Sequence, residues 1–230
     1  CLKQPVADAP SAVTQASDRA QKGGGYLARA CHGYALATDF KFDLAVPLLT
    51  EAARGAEAKK DDRAGRFWAQ AGNAAIAVGE MDVALESLNR ALAATTLVAA
   101  ERADIEIDRA RALVILNQNA EAEAALTTAR GLASENATAW LLSATLARRE
   151  NKLSDALGFI QTAAALAPRD PAVALEAGNI AIAAGDDASA RKQWEQVVAI
   201  APNSRQAISA KAQLAALGPS PAPPVDGQSR

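Results

Sequence analysis

Aromatic side chains are scarce in this 230-residue sequence: they make up 4% of it, although hydrophobic residues make up 50%. The apolar surface must therefore come mostly from alanine, leucine, isoleucine and valine. Alanine has the highest helix propensity and allows two helices to approach closely. The composition thus favours a closely packed, all-helical array, and the length suffices for one domain with tails or for a short series of repeats.

Cysteine and histidine are almost absent, with Cys1, Cys31 and His32 as the only examples. Their number and spacing give neither a zinc site nor a disulfide framework. The Cys31-His32 pair also lacks the preceding cysteine that a haem-attachment motif requires. We therefore predict a protein that uses no metal ion and no other cofactor.

Excess charge and long apolar runs are missing too. The formal net charge is −2, so the chain has no global basic field that would attract nucleic acid or anionic lipid. Helical repeats that read RNA need a basic groove, and RNA binding is accordingly disfavoured. No run of 18 apolar residues occurs, and we expect no transmembrane helix.

The sequence also lacks the motifs of an enzyme, such as a glycine-rich phosphate loop or a nucleophile with its base. Asp104, Glu106 and Asp108 alternate along one predicted helix. Alternate residues point about 200° apart on a helix, so these carboxylates do not form a paired acid–base site. We therefore predict a non-catalytic protein.

What the sequence does contain is a period of 34 residues, which is typical of solenoids built from repeats. It is clearest in 137–170 and 171–204, where five positions recur: Trp140, Ala156, Ile160, Ala163 and Pro168 in the first copy, and Ala174, Ala190, Trp194, Val197 and Pro202 in the second. Earlier copies occupy 65–98 and 103–136, and a degenerate copy occupies 26–64. The four residues 99–102 equal about one helical turn, so they should lengthen a helix without rotating its buried face.

Position 15 of each clear copy supports the same division. It is held by glycine or asparagine, the residues that enter the left-handed region most readily. These residues are Gly79, Asn117, Asn151 and Gly185. Because a helix–turn–helix needs such a residue just after its first helix, each copy is predicted to be a helical hairpin.

The two ends of the chain differ from the repeats. Residues 1–25 mix proline, serine and charge and close with three glycines, so we expect a flexible tether; the alternative is a short helix over about 11–22, capped by Ser11. Residues 204–217 form an amphipathic pattern that predicts a capping helix over the last repeat. Residues 218–230 are proline-rich and predicted to be disordered.

The repeats resemble the tetratricopeptide repeat family, in the style of its small bacterial members. The match is carried by tryptophan at position 4, glycine at 8, alanine at 20 and proline at 32: Trp68, Trp140, Gly72, Gly178, Ala84, Ala122, Ala156, Ala190, Pro168 and Pro202. The resemblance covers about 26–217. It implies an all-α, right-handed superhelical solenoid in which positions 8 and 20 lie where the two helices of a repeat cross.

The resemblance also implies that the first helices line a concave groove for a peptide or helix of a partner protein. There, leucine and isoleucine would take apolar side chains, asparagine would bond the backbone, and arginine would hold a carboxylate. The alternative is that the leucines pack against the next helix and the arginines are merely solvated. The predicted groove residues are Gln70, Asn73, Ile107, Arg111, Leu141, Thr145, Arg148, Arg149, Leu175 and Asn179.

We therefore expect a scaffold or adaptor that binds other proteins; the alternative is a structural subunit of an oligomeric envelope or secretion assembly. Cys1 followed by a polar tether also resembles mature bacterial lipoproteins, which implies lipidation of Cys1 and a periplasmic, membrane-anchored location. A trimmed sequence from a cytoplasmic protein remains the other interpretation, because targeting is read from a signal that is not part of this sequence.

Overall fold

The computed structural model describes residues 9–218 and, within that range, twelve α-helices and no strand. They are α1 (Ala9–Gln21), α2 (Gly25–Thr38), α3 (Phe42–Ala58), α4 (Ala64–Val78), α5 (Met81–Ala93), α6 (Ala99–Ile115), α7 (Asn119–Leu132), α8 (Ala137–Arg149), α9 (Leu153–Leu166), α10 (Pro171–Ala183), α11 (Asp187–Ile200) and α12 (Arg205–Leu217). The contacts divide the chain into two compact units, with the boundary between Ala139 and Trp140 in the first turn of α8. We call them unit 1 and unit 2.

Consecutive helices pack against one another within each unit. In unit 1, α2 packs on α3, α3 on α4, α4 on α5, and α6 on α7; in unit 2, α9 packs on α10, α10 on α11, and α11 on α12. This sequential packing of neighbouring helices confirms the predicted all-helical repeat fold. Residues 99–102 form the first turn of α6, as the four-residue insertion predicts. No helix among residues 9–218 is long and apolar enough to cross a membrane.

The hairpin turns confirm the prediction made from position 15. Gly79, Asn117, Asn151 and Gly185 have φ values of 83°, 60°, 59° and 79°. In each turn the next N–H donates back to a carbonyl of the first helix, at 2.8–2.9 Å for the four bonds. These bonds satisfy carbonyl groups that the helix end would otherwise leave open, which is why the left-handed residue is needed.

The turn between α2 and α3 has the same geometry with a different residue. Phe40 lies at φ 58°, and Lys41 N–H donates to the Leu36 carbonyl at 2.9 Å. A side chain other than glycine or asparagine in this region costs roughly 1–2 kcal/mol. Phe40 is 83% exposed, and its ring meets the Phe42 ring edge-on, with centroids 6.1 Å apart.

Small residues are required where the helices of a hairpin cross, as the repeat pattern predicts. A Cβ on Gly72 would lie 2.7 Å from Leu88 Cγ, and one on Gly178 would lie 2.4 Å from Trp194 Nε1. Both facing side chains are buried, so neither has room to withdraw.

Each unit has its own core. Unit 1 buries Phe67, Trp68 and Leu88 in one cluster and Leu36, Leu49, Ala71, Met81 and Ala112 in another. Unit 2 buries one cluster around Ile160, Val173 and Ile180 and another around Trp194, Val197 and Ala207. Alanine fills much of this space, in agreement with the scarcity of aromatic residues.

Helix α12 closes the last hairpin of unit 2. Its Ala207 and Ala210 are fully buried, while Leu214 and Leu217 pack at the edge of the same core. The Ser204 hydroxyl caps its first turn by accepting from the Ala207 N–H at 3.0 Å. The helix thus covers an apolar face that the last repeat would otherwise expose, which is the role expected of a solenoid cap.

The N-terminal segment differs from the expected tether over Ala9–Gln21, which forms α1 and packs against α2. Ala16 is 6% exposed, and Val13 lies against the core of unit 1. Residues three apart share a helix face, so even these small side chains give α1 an apolar side to bury. Ser11 is the third residue of the helix and does not precede it. Residues 1–8, with Cys1, and 219–230 lie outside the described residues, so lipidation and the disordered tail remain predictions.

A hydrogen bond from Tyr26 ties α2 to an ion pair in the connection between α3 and α4. Asp61 accepts hydrogen bonds from Arg63 Nε at 2.8 Å, from the Arg63 backbone N–H at 2.9 Å and from Tyr26 Oη at 2.7 Å. These bonds, those from Arg63 above all, hold the pKa of Asp61 well below its ordinary value. The degenerate first hairpin is thereby joined to the next one by polar contacts as well as by its core.

Candidate functional site: the first-helix faces

The predicted groove residues lie on the first helices of the repeats, α4 and α6 in unit 1 and α8 and α10 in unit 2. We call the sides of these helices that carry them the first-helix faces. In unit 1, Gln70 and Asn73 lie on α4, and Ile107 and Arg111 lie on α6. The structure brings two of them together beside a residue that was not predicted, Asp108. Arg111 donates to Asp108 Oδ1 at 2.6 Å, and the Asn73 side chain lies near enough to the same carboxyl group to lower its pKa. The Asp108 carboxyl group thus lies beside Arg111 of its own helix, α6, and beside Asn73 of α4.

The Asp108 carboxyl group is largely buried, since the Asp108 side chain is 16% exposed against 44% for Arg111. Burial raises the pKa of Asp108 above its ordinary value, and the neighbouring Arg111 and Asn73 partly oppose that rise. The largely buried Asp108 carboxyl group thus holds the Arg111 side chain in place, while the Arg111 guanidinium remains accessible to solvent.

A second polar contact joins the same two helices nearer their N-termini. Arg66 donates to Glu101 through Nε and a terminal nitrogen, at 2.5 and 3.0 Å. Glu101 also accepts from the Val98 backbone N–H at 3.1 Å, at the start of α6. These bonds lower the pKa of Glu101, with Arg66 as the largest cause. An ion pair therefore joins α4 and α6 near their N-termini.

Ile107 departs from the predicted groove. It is 3% exposed and belongs to the core of unit 1, so a partner at the surface does not reach it. A large apolar side chain at this position gains more from burial between helices than from exposure on a face, and the repeat period alone does not distinguish the two. Gln70 is half-buried and remains at the surface of the face.

In unit 2 the predicted residues lie on α8 and α10, and the structure again joins two of them through an acidic residue. Arg148 Nε donates to Glu176 Oε1 at 2.7 Å, and a terminal nitrogen of Arg148 donates to Oε2 at 3.3 Å. Asn179 Nδ2 donates to Glu176 Oε2 at 3.2 Å. Glu176 is only 6% exposed, so Arg148 is committed to a buried carboxylate of its own chain.

The other predicted residues of unit 2 divide between packing and surface. Leu141 and Leu175 are half-buried against the two cores of the unit, as the alternative interpretation expects. The Thr145 hydroxyl donates within its helix to the Leu141 carbonyl at 3.0 Å. Arg149, in the last turn of α8, is exposed and is the cation of this face that is open to a partner.

Asp108 and Glu176 were not among the predicted binding residues, although both occupy position 6 of their repeats, a position that faces the predicted groove. The signal that would have identified them is an acidic residue at position 6 combined with arginine at position 9 of the same repeat or position 12 of the preceding one. Among residues 9–218, no group of three histidine, cysteine, aspartate or glutamate side chains is placed to hold a metal ion. The side-chain contacts described above on both faces are hydrogen bonds and ion pairs.

No protein-family model and no characterised protein sequence matches this chain. Solved structures match its fold. YrrB, described as a tetratricopeptide protein with an unusual peptide-binding site, has 19% sequence identity, a TM-score of 0.59, and coverage of 87% of this chain and 98% of its own.

Two further structures are similar over most of the chain. MamA has 16% identity and a TM-score of 0.62, with 87% of this chain and 100% of that chain covered. PilF of Pseudomonas aeruginosa has 16% identity and a TM-score of 0.66, with 90% of this chain and 97% of that chain covered. Identities this low establish a shared fold and carry no information about partners.

Proposed function

We propose that this chain, which has the tetratricopeptide-repeat fold, is a non-catalytic scaffold that binds a peptide or helix of a partner protein on its first-helix faces. The observation that carries the proposal is the pair of polar clusters around Asp108 and Glu176. Each cluster places an asparagine and an arginine side by side on first helices. YrrB, a protein of this fold, is described as having a peptide-binding site, which agrees with such a use.

The buried acids support a binding role because a buried carboxylate gives the fold no more stability than an apolar side chain would. Moving a carboxylate out of water costs several kcal/mol, and well-packed apolar residues of similar volume are often at least as stable as a buried ion pair. Glu176, at 6% exposure, bears that cost. What the acid provides is orientation, since it fixes the planes of the Arg148 guanidinium and the Asn179 amide in advance of binding.

The faces offer a partner two kinds of contact. Asn179 uses its side-chain N–H to hold Glu176, which leaves the amide oxygen to accept from a partner's backbone N–H. Asn73, which is exposed beside Asp108, would bond a partner's backbone in the same way. Arg149 and the exposed part of Arg111 would pair with a partner's carboxylate. The favoured ligand is therefore a segment with an acidic side chain or terminus and a free backbone edge.

Reversal of the charge at Arg149 tests this proposal. We expect Arg149→Glu to reduce the amount of partner captured from a lysate of the source organism at least about tenfold, as loss of a central ionic contact typically does. Arg148 is unsuitable for this test, because a glutamate there would face Glu176. The captured protein would be quantified by mass spectrometry against the unmodified chain.

Lys192→Glu is the matched control, because Lys192 is an exposed cation of unit 2 on the second helix α11. It changes the net charge equally and should leave capture unchanged. Equal capture by Arg149→Glu and the unmodified chain would contradict binding on the unit 2 face.

The structural-subunit alternative is favoured by one observation, the exposure of Ile208 on the capping helix, at 67%. Contact with another copy or another subunit would remove this side chain from water. The mass of the purified chain in solution separates the two hypotheses, since a scaffold is expected to be monomeric and a permanent subunit is not.

A further inference from the structure

A second surface of unit 1 exposes several large hydrophobic side chains to solvent. Its residues are large hydrophobic side chains at or beside the three hairpin turns α2–α3, α4–α5 and α6–α7, and each is at least 36% exposed. We call them the turn-edge patch: Phe40, Leu44, Val78, Val83 and Ile115. None of them belongs to the first-helix faces described above.

The core places these turns next to one another. Leu36, at the end of α2, and Met81, at the start of α5, belong to one buried cluster. Phe42, at the start of α3, and Leu116, just after α6, pack against that same cluster. Because residues flanking all three turns share one core, the exposed side chains of the patch lie on one edge of unit 1.

Phe40 is the residue that folding explains least. The four other hairpin turns place glycine or asparagine at this point, whereas here a phenylalanine adopts φ 58°. Its ring gains little from burial, since 83% of the residue is exposed. Among residues 9–218, its ring meets only that of Phe42, edge-on. A strained, exposed aromatic side chain is typical of a contact residue, where the cost to the fold is recovered in a complex.

The rim of the patch is acidic. Asp43, Glu80, Asp82 and Glu121 are exposed around the three turns. The cation of this edge, Lys41, is paired with Asp39 at 2.7 Å. Acids near the start of a helix are favoured by its dipole, but five acidic residues against one lysine also give this edge a negative field. That field repels an anionic membrane surface and attracts a basic segment of a partner protein.

We propose that the turn-edge patch binds an amphipathic helical segment of a partner protein, with apolar residues along one side and lysine or arginine beside them. The apolar side would cover Phe40 and its neighbours, and the flanking cations would face Asp43 and Asp82. Helix-in-groove recognition with complementary charge is an established mode of peptide binding, and both components are present here.

The test uses a synthetic 18-residue amphipathic helical peptide with leucine along one side and lysine along the other, and a copy with glutamate in place of lysine. Isothermal titration with the full chain should detect the lysine peptide and not the glutamate peptide. Phe40→Asn should weaken binding of the lysine peptide at least about tenfold. Asparagine is already used at this turn position in two other hairpins, so the variant should melt at the same temperature as the unmodified chain or higher.

Charge variants complete the design. Asp43→Lys with Asp82→Lys should also weaken binding at least about tenfold, whereas Asp62→Lys with Glu135→Lys, an equal change of charge outside these turns, should not. Equal affinity of Phe40→Asn and the unmodified chain would overturn the proposal, as would sedimentation of the chain with phosphatidylglycerol vesicles, which would indicate a membrane surface. Arg149→Glu should leave binding of the lysine peptide to the turn-edge patch intact. Failure of the turn-edge proposal can therefore be distinguished from failure of the proposed function on the first-helix faces.

Discussion

Replacement of Arg148 by methionine should lower the free energy of unfolding of unit 2 by about 2–4 kcal/mol. The reason is Glu176, which is 6% exposed and receives two hydrogen bonds from this guanidinium. Removal of one partner of a buried ion pair leaves the other charge uncompensated, and such losses are typically about 3–5 kcal/mol. We place the loss at the lower end, because Asn179 still donates to Glu176 and the Arg148 side chain is 26% exposed. Urea unfolding measures the change, and hydrogen exchange at α10 amides locates it.

Two matched variants decide whether the pair is responsible. Arg149→Met changes the neighbouring, exposed arginine and should alter stability by no more than about 0.5 kcal/mol. The double variant Arg148→Met with Glu176→Met should recover most of the loss, because two apolar residues of similar volume replace the pair without a buried charge. A stable Arg148→Met protein would show that Glu176 does not depend on this arginine, and Arg148 would then be free to bind a partner.

Alanine at position 178 should destabilise unit 2 by about 1–3 kcal/mol, although alanine is normally the better helix residue by about 1 kcal/mol. Its Cβ would lie 2.4 Å from Trp194 Nε1. Trp194 is 1% exposed and has no room to move, so the two helices must separate or the indole must leave its preferred rotamer. Thermal and urea unfolding of Gly178→Ala measure the effect.

The size of the facing side chain provides the control. Two other repeats have alanine at the equivalent position, Ala110 and Ala144, and leucine or isoleucine in place of the tryptophan. Gly178→Ala should therefore cost less in a Trp194→Leu background, which appears as favourable coupling in a double-mutant cycle. Gly158→Ala on α9, where a Cβ meets nothing within 4 Å, should instead stabilise the chain. Additive effects of Gly178→Ala and Trp194→Leu on stability would contradict the steric explanation.

The helical hairpins were predictable because their causes are local in sequence. A left-handed turn residue such as Gly79 or Asn151 can be recognised because glycine and asparagine favour this backbone region. The 34-residue period then places it between two helices. The need for a small residue at 72 and 178 follows from the same period, since it marks the point where two helices cross. These features depend on one or two residues at fixed spacing, which a single sequence displays directly.

The site was predictable only in part, because its contacts join residues that the period does not relate. Arg148 and Glu176 are 28 residues apart, and their pairing depends on how far α8 is rotated against α10. The burial of Ile107 depends on the same rotation in unit 1. Phe40 was not identified because a phenylalanine carries no turn signal; only its backbone angle, once observed, shows that it replaces a glycine or asparagine.

The most direct test of the proposed scaffold function is photo-crosslinking from the first-helix faces in the cell that makes the protein. Benzoylphenylalanine would replace Gln70 or Arg149, both at the surface of these faces. Matched positions on second helices, Arg54 on α3 and Lys192 on α11, serve as controls. The proposed function predicts crosslinks to a different protein from Gln70 and Arg149 and none from the controls. Crosslinks from the controls alone, or from Gln70 and Arg149 only to a second copy of this chain, would contradict it.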